Sequence, residues 1–450
     1  QNFIQRIDAI FGATRRLTRK DGSLEEAFPN EGSYCVTALV AFDLLCAYEL
    51  LSDEADSRTL DAWQETIHQL IPFLVNSDET HAVISNHLAT AVAALVRWHE
   101  LTWQDSALHK AEELLERILD NQSEEGWFKE YQGADPGYQS LCTYYLADVH
   151  QKRPDWGLLS SLQNSLRFLW HFAHPDGSFG GIYGSRCTRF YNPAGLEALA
   201  DEIPEALALA NYMAESIAQT KVVTLSSIDE PNLTPWFNAY ALAATLYEQR
   251  RQDGSKLMSV PCMEKKSKRV KYENAGLIID QGPEHYTIVN TNKGGVVYHF
   301  QGVRLVQCDV GVVVKNEKGN LASTQAYNPE NPVQWKDDNT LIVQASLCPM
   351  PKRLPKPIEF LILRVMCLSV FRIRTLREWV KRILVKLLIN NKKKWPLLNT
   401  RRITLGKDMV IKDTCPLLKG YELYENRGQF IPIHMASQGY WQIQDEERIE

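Results

Sequence analysis

The chain has 450 residues, 44% hydrophobic and 23% charged, which is enough for two domains each with a sizeable core and is the balance of an ordinary soluble globular protein. A net charge of -6 hides an asymmetry: residues 1–250 hold 17 Lys+Arg against 35 Asp+Glu, and residues 251–450 hold 32 against 20. Two domains with different surfaces fit that split better than one. The nine cysteines are odd in number and scattered, without a C-x-x-C pair, so neither a disulfide framework nor a structural zinc site is expected. A reducing, cytoplasmic compartment is favoured. No run of 18 uncharged apolar residues occurs. The best stretch, 358–370, is short and contains Glu359 and Arg364, so it does not read as a membrane span.

Up to about residue 250 the apolar residues recur at i, i+3, i+4 and i+7, as in 36–51, 87–101, 107–119, 159–172 and 206–218, which predicts helices. Polar, Gly-rich loops separate them, starting near 21, 76, 123, 175 and 226, a period of about 50. That is two helices plus a loop, repeated. Such hairpins bury their faces only by stacking or closing into a ring. The loops share one phase of the repeat and carry Trp, Tyr, Phe, Arg, Asn and His, so a binding cleft is expected where they gather.

After a polar stretch at 252–269 the period changes to short alternating runs with turns at 292–295 and 316–320, the pattern of antiparallel strands. Residues 352–402 interrupt them with 15 Lys+Arg against only Glu359 and Glu378, and a helical core is expected over 376–389. The predicted fold is therefore α+β multidomain: an incomplete (α/α) toroid over residues 1–252, then an antiparallel β-sandwich over 253–450 with a basic helical insertion at about 352–402.

The loop EEGWFKEYQGADPGYQS combines Trp127, Glu130, Tyr131 and Tyr138. Aromatic faces stack on the apolar faces of sugar rings and carboxylates bond hydroxyls; the alternative is a loop that plugs its aromatics into the helix ends. Asn86 and His87 open the predicted helix that runs through 88–101. The loop PDGSFGGIYGSRCTRFYNPAG offers Arg186, Arg189 and Tyr191, and two arginines in one loop suit a bidentate grip on carboxylate, or ordinary salt bridges to the acidic first half.

Asn-His at a helix start, a Tyr about 50 residues later in a G-x-x-P-G-Y loop, an Arg-bearing loop after that, and a β-sandwich behind repeating α-hairpins together resemble the heparinase II/III and alginate lyase superfamily, whose architecture the dermatan sulfate epimerases share. The resemblance implies an enzyme that removes the C5 proton of a uronic acid in a polysaccharide, a lyase working by β-elimination or a uronyl C5-epimerase. Asn86 and His87 then hold the substrate carboxylate, Tyr138 is the general acid and often base, and Trp127, Glu130, Tyr131, Arg186, Arg189 and Tyr191 line the substrate. Such chemistry needs donors that neutralise the carboxylate as charge spreads into it. It also needs a tyrosine whose pKa nearby arginines lower. No metal or other cofactor is implied.

The sandwich departs from the family, which brings a further His or Tyr to the cleft within a His-rich motif. Here only His285 and His299 are available, and their alternating spacing reads as surface positions. A non-catalytic glycan-binding protein of polysaccharide assembly is the reading from another class. The partner expected in each case is an acidic polysaccharide. The basic insertion suits peripheral contact with an anionic inner membrane, or a grip on the polyanionic substrate, and lacks the aromatic interleaving of a nucleic-acid site.

Overall fold

A computed structural model describes residues 3–424 apart from 27–28, 80–82, 224, 226–229, 251–257, 351–355, 374, 377–378, 381–382 and 384–393. Helices come first, as the periodicity predicts: α1 (Phe3–Leu17), α2 (Tyr34–Leu51), α3 (Ser57–His68), α4 (Ile71–Asn76), α5 (Ser85–Thr102), α6 (Asp105–Asp120), α7 (Pro136–Lys152), α8 (Leu159–Leu169), α9 (Ala194–Ala198), α10 (Pro204–Ala218) and α11 (Glu230–Arg250). Strands follow: β1 (Lys268–Tyr272), β2 (Leu277–Gln281), β3 (His285–Asn290), β4 (Val296–Gln301), β5 (Arg304–Asp309), β6 (Val313–Asn316), β7 (Leu321–Ser323), β8 (Val333–Trp335), β9 (Thr340–Ser346) and β10 (Cys348–Pro349). Then come α12 (Pro357–Leu368), β11 (Leu398–Thr404), β12 (Val410–Thr414) and β13 (Tyr421–Leu423). The α+β multidomain class is thus the one that forms. The helix expected over 376–389 lies largely outside the described residues.

The chain divides into two compact units: Gln1–Gln122 with Tyr145–Leu159 and Leu354–Ile389, and Ser123–Tyr144 with Ser160–Arg353 and Asn390–Glu450. The switch from helix to strand does fall between Arg250 and Lys268. The units do not follow it, because most of α8, and α9 to α11, belong with the sheets, while the insertion that carries α12 belongs with the first helices.

In the first unit α5 is the central helix, packed on α2 and α6. Its residues 88–96 are all buried, five of them Ala or Thr, and small side chains let neighbouring helices approach from every side. Ser33 caps α2 by accepting from the Val36 amide at 3.2 Å, and Arg97 holds Asp148 through its Nε at 2.9 Å.

In the second unit the described strands form three antiparallel sheets, ordered β1-β2-β3-β4-β5, β10-β7-β6-β13 and β12-β11-β9-β8. The first packs on the third through Ile278, Val289, Val297, Leu341, Val343 and Ile403. Its other face meets the chain after α8. Tyr286 donates to the His171 carbonyl at 2.6 Å, Phe300 lies 5.0 Å from the His174 ring, and Tyr298 lies 5.3 Å from Tyr183. Covered on both faces, β2 is buried along its whole length, and its two polar residues are paired there, Asp280 accepting from Arg269 and Gln281 donating to the Pro261 carbonyl, each at 2.7 Å. Arg401 is fully buried in the sandwich, where Asp309 and Asp413 each accept from it at 2.7 Å.

His285 and His299 are not surface residues. His299 is buried, hydrogen-bonded to Thr287 Oγ1 at 2.7 Å and to the Lys407 carbonyl at 3.0 Å, and His285 pairs with Asp280 at 3.0 Å. Alternation suggests one solvated face, but these two share the face of Val289 and Val297, which packs on the third sheet.

Two other histidines under this sheet make the unit acid-sensitive. Burial, aided by Lys268, pushes His171 down to about 3; burial, aided by Arg189, pushes His174 down to about 4. In the unfolded chain both rings take up a proton near pH 6.5. Protonation below that pH therefore favours unfolding, and the stability present above it is lost as pH falls towards the two folded values. Melting temperature measured from pH 7.5 to 4 should fall steadily below about 6.5, and replacing His174 by Asn should flatten part of the slope.

Candidate functional site

The loop 123–135 and the first turn of α7 are organised by one buried carboxylate. Asp135 stands before Pro136, the first residue of α7, and its Oδ1 accepts from the Tyr138 amide at 3.2 Å, a helix N-cap with proline in its preferred place. The same carboxylate reaches the Arg loop: Oδ2 accepts from the Arg186 amide at 2.9 Å and the Thr188 amide at 3.4 Å, and Oδ1 from the Thr188 hydroxyl. Burial raises the Asp135 pKa despite these donors. Gly137 is needed here for close approach rather than for a turn, since a Cβ would stand 2.2 Å from Thr188 Oγ1. Gly133 likewise leaves room for the Tyr327 ring.

Asp135 thereby brings Tyr138 and Arg186 together. The Arg186 guanidinium lies 4.2 Å from the Tyr131 ring centre and 5.3 Å from that of Tyr138, and 3.8 Å from Glu130 Oε1. Tyr138 is 6% exposed and its ring meets Phe190 edge-on at 5.2 Å, with Val223, Leu141 and Trp236 around the pair. Burial carries the Tyr138 pKa well above the usual phenol value; Arg186 pulls it down without winning, and Glu130 and Asp135 push it further up. The expectation that arginine lowers this pKa towards neutrality is therefore corrected: desolvation outweighs one guanidinium whose charge Glu130 already shares. Arg186 is disfavoured as a cation by burial, but Tyr138 and Glu130 more than restore it.

The other proposed substrate-binding residues lie in the same unit. Trp127 is buried and donates from its indole to Glu125 at 2.9 Å. Tyr191 is buried with its ring 5.1 Å from Phe179. Arg189 is half-buried, near His174. Much of the aromatic surface of these loops is thus inside the fold.

Asn86 and His87 belong to the first unit, in the opening turn of α5. Asn86 is buried and its carbonyl accepts from Thr90 at 2.8 Å. His87 Nδ1 is 3.0 Å from Glu79 Oε2, and its ring also hydrogen-bonds Cys35 in the first turn of α2. Burial works against its protonation, but Cys35 and Glu79 outweigh that and hold its pKa well above the imidazole value. Arg117 fixes the loop by donating to Asp78 Oδ1 and the Glu79 carbonyl, each at 2.8 Å.

The sequence reading takes Asp135 only as one more carboxylate of its loop, and Glu79 and Cys35 escape it. Asp-Pro followed by an apolar helix is a cap signal that would have found Asp135. No local signal joins Cys35 and Glu79 to His87, which lie 52 and eight residues before it.

No family model and no curated protein matches the chain. Among solved structures it is similar to a polysaccharide lyase, at 8% identity over 56% of this chain and 86% of that one, with a TM-score of 0.41. It is also similar to cellobiose 2-epimerase from Bacillus thermoamylovorans B4167, at 12% identity over 55% and 72%, with a TM-score of 0.33. Chondroitinase AC lyase is 13% identical over 78% of this chain and 65% of that one, with a TM-score of 0.32.

The frame has a measurable weight. Asp135→Ala removes a cap, about 0.5–2 kcal/mol, and strands further buried donors at about 1–3 kcal/mol each. Urea unfolding should show a loss of at least about 2 kcal/mol, and a smaller one for Asp135→Asn, which keeps one acceptor oxygen. A loss below about 1 kcal/mol for the Ala variant would show that the loops hold without it.

Proposed function

We propose that the protein modifies a uronic-acid-containing polysaccharide by removing the C5 proton, as a lyase that completes β-elimination. The observation that carries this reading is the single frame in which Asp135 fixes Tyr138 beside Arg186 and Glu130. The C5–H bond beside a carboxylate is very weakly acidic, so catalysis rests on cations that take up charge as it spreads into that carboxylate. Arg186 stays charged in this frame. Tyr138 rests as a neutral phenol, the form that donates a proton to the departing glycosidic oxygen, while the Glu130 carboxylate beside Arg186 is the base that accepts the C5 proton. Asn86 and His87 are proposed as the carboxylate-binding pair, and His87 rests as a cation.

A uronyl C5-epimerase uses the same first step, with a proton then returned to the opposite face of C5; a neutral Tyr138 also fits that donation. The burial of Tyr138, 6% exposed against Phe190, favours a third reading, a glycan-binding protein in which this ring is core.

One variant separates them. On a panel of uronic-acid polymers, ultraviolet absorbance reports an unsaturated product and deuterium uptake from heavy water reports epimerisation. Tyr138→Phe should cut either turnover by about 10²–10⁴-fold while stability changes by only about 0.5–1.5 kcal/mol. Near-full activity in the variant, or activity lost only in proportion to a much lower melting temperature, would make Tyr138 a structural residue. No turnover by the parent protein on any polymer, with binding retained, would leave the glycan-binding reading.

A further inference from the structure

The helix α12 is apolar on nearly every side and exposed on nearly every side. Ile358, Phe360, Leu361, Ile362, Val365 and Leu368 are each 54–58% exposed. Successive helical residues are 100° apart, so the run 360–362 alone sweeps across most of the helix circumference. A soluble helix keeps such residues on one stripe facing a core. Here only Cys367 within the helix, and Phe371 just after it, are buried. Asn30 donates to the Cys367 carbonyl at 2.9 Å, so the helix is moored at its C-terminal end, within the first unit.

Charge says what meets this surface. Residues 352–394 carry 13 Lys+Arg against Glu359 and Glu378, and Lys356, Arg364 and Arg372 are exposed around the helix. Trp379, 57% exposed, is the kind of residue that settles at headgroup level. A second copy of this surface would set two basic clusters against each other. A soluble polyanion would satisfy the charge and leave the large apolar side chains in water. Twelve residues make a helix of about 18 Å, well short of the roughly 30 Å hydrocarbon core, so α12 does not span.

We propose that α12, with Lys356, Arg364 and Arg372 around it, inserts into the headgroup boundary of an anionic bilayer and holds the protein at a membrane surface. Apolar residues enter the acyl boundary while the lysines and arginines meet lipid phosphates, two signals that bind together more firmly than either alone. The proposal is independent of the reaction, since neither α12 nor its flanks include a residue placed in the catalytic frame.

Flotation of the full chain tests it, with vesicles of phosphatidylcholine alone or mixed with phosphatidylglycerol. The protein should float with the anionic vesicles, stay behind with the neutral ones, and bind less at high salt. Phe360→Ser with Ile362→Ser removes two exposed side chains, so the melting curve should hold while bound protein falls by about tenfold or more. Lys356→Glu with Arg372→Glu should also release it. Equal flotation on neutral vesicles overturns the anionic requirement. Undiminished flotation of the Ser variant overturns insertion and assigns the surface to polyanions. A Ser variant that turns a dimer into a monomer in sedimentation, with neither protein floating, assigns the surface to a second copy. Turnover in solution is a separate readout, so failure here leaves the uronate reading standing and the reverse also holds.

Discussion

The site depends on a carboxylate that never reaches solvent. Asp135 is 1% exposed, and so polar a group is tolerated there because donors from two loops about fifty residues apart converge on it. One is the Tyr138 amide in the first turn of α7; the others are Arg186 and Thr188. The capping bond fixes where α7 begins, and the remaining bonds fix where the Arg loop passes. Gly137 and Gly184 leave the space: a Cβ on Gly184 would stand 2.5 Å from Asp135 Oδ2. Tyr138 and Arg186 are therefore neighbours as a consequence of capping.

The Arg loop is also held from the sheet. Lys293, in the turn between β3 and β4, is buried and donates to the carbonyls of Ile182 at 2.5 Å and Gly184 at 2.8 Å, with Cys187 Sγ also at 2.8 Å. Asn290 donates to the Tyr183 carbonyl at 2.6 Å. Loops ordinarily carry function because they vary without unfolding the scaffold. This one is part of the scaffold, because burying its backbone polar groups requires partners from both Asp135 and the β3–β4 turn. Stability and the chemistry proposed for the frame are consequently coupled through shared bonds.

Burial also sets the protonation states, and it does so differently on the two proposed catalytic groups. Around Tyr138 the nearest cation is already shared with Glu130, so desolvation prevails and the phenol keeps its proton. Around His87, Glu79 is aligned with Nδ1 and Cys35 also bonds the ring, so the cation prevails over desolvation.

The sequence alone determined the order of the elements: helices with a period near fifty, a change to strands after Arg250, a turn at 292–295 and a basic insertion at 352–402. These follow from hydrophobic period and from Gly, Pro and Asn at turns, which act over a few residues. It also placed Tyr138 and Arg186 in loops of the same phase, which the frame around Asp135 makes concrete. Only the tertiary structure decided that β4 is buried nearly along its length, so that His299 is interior despite its alternating pattern. Only it decided that the aromatics of the 123–140 loop are mostly buried and that Glu79 and Cys35 converge on His87. It alone assigned the basic insertion, distant in sequence, to the first helices. Burial and pairing between residues far apart in the chain have no local signature, and pKa values depend on both, so protonation was the property furthest from the sequence.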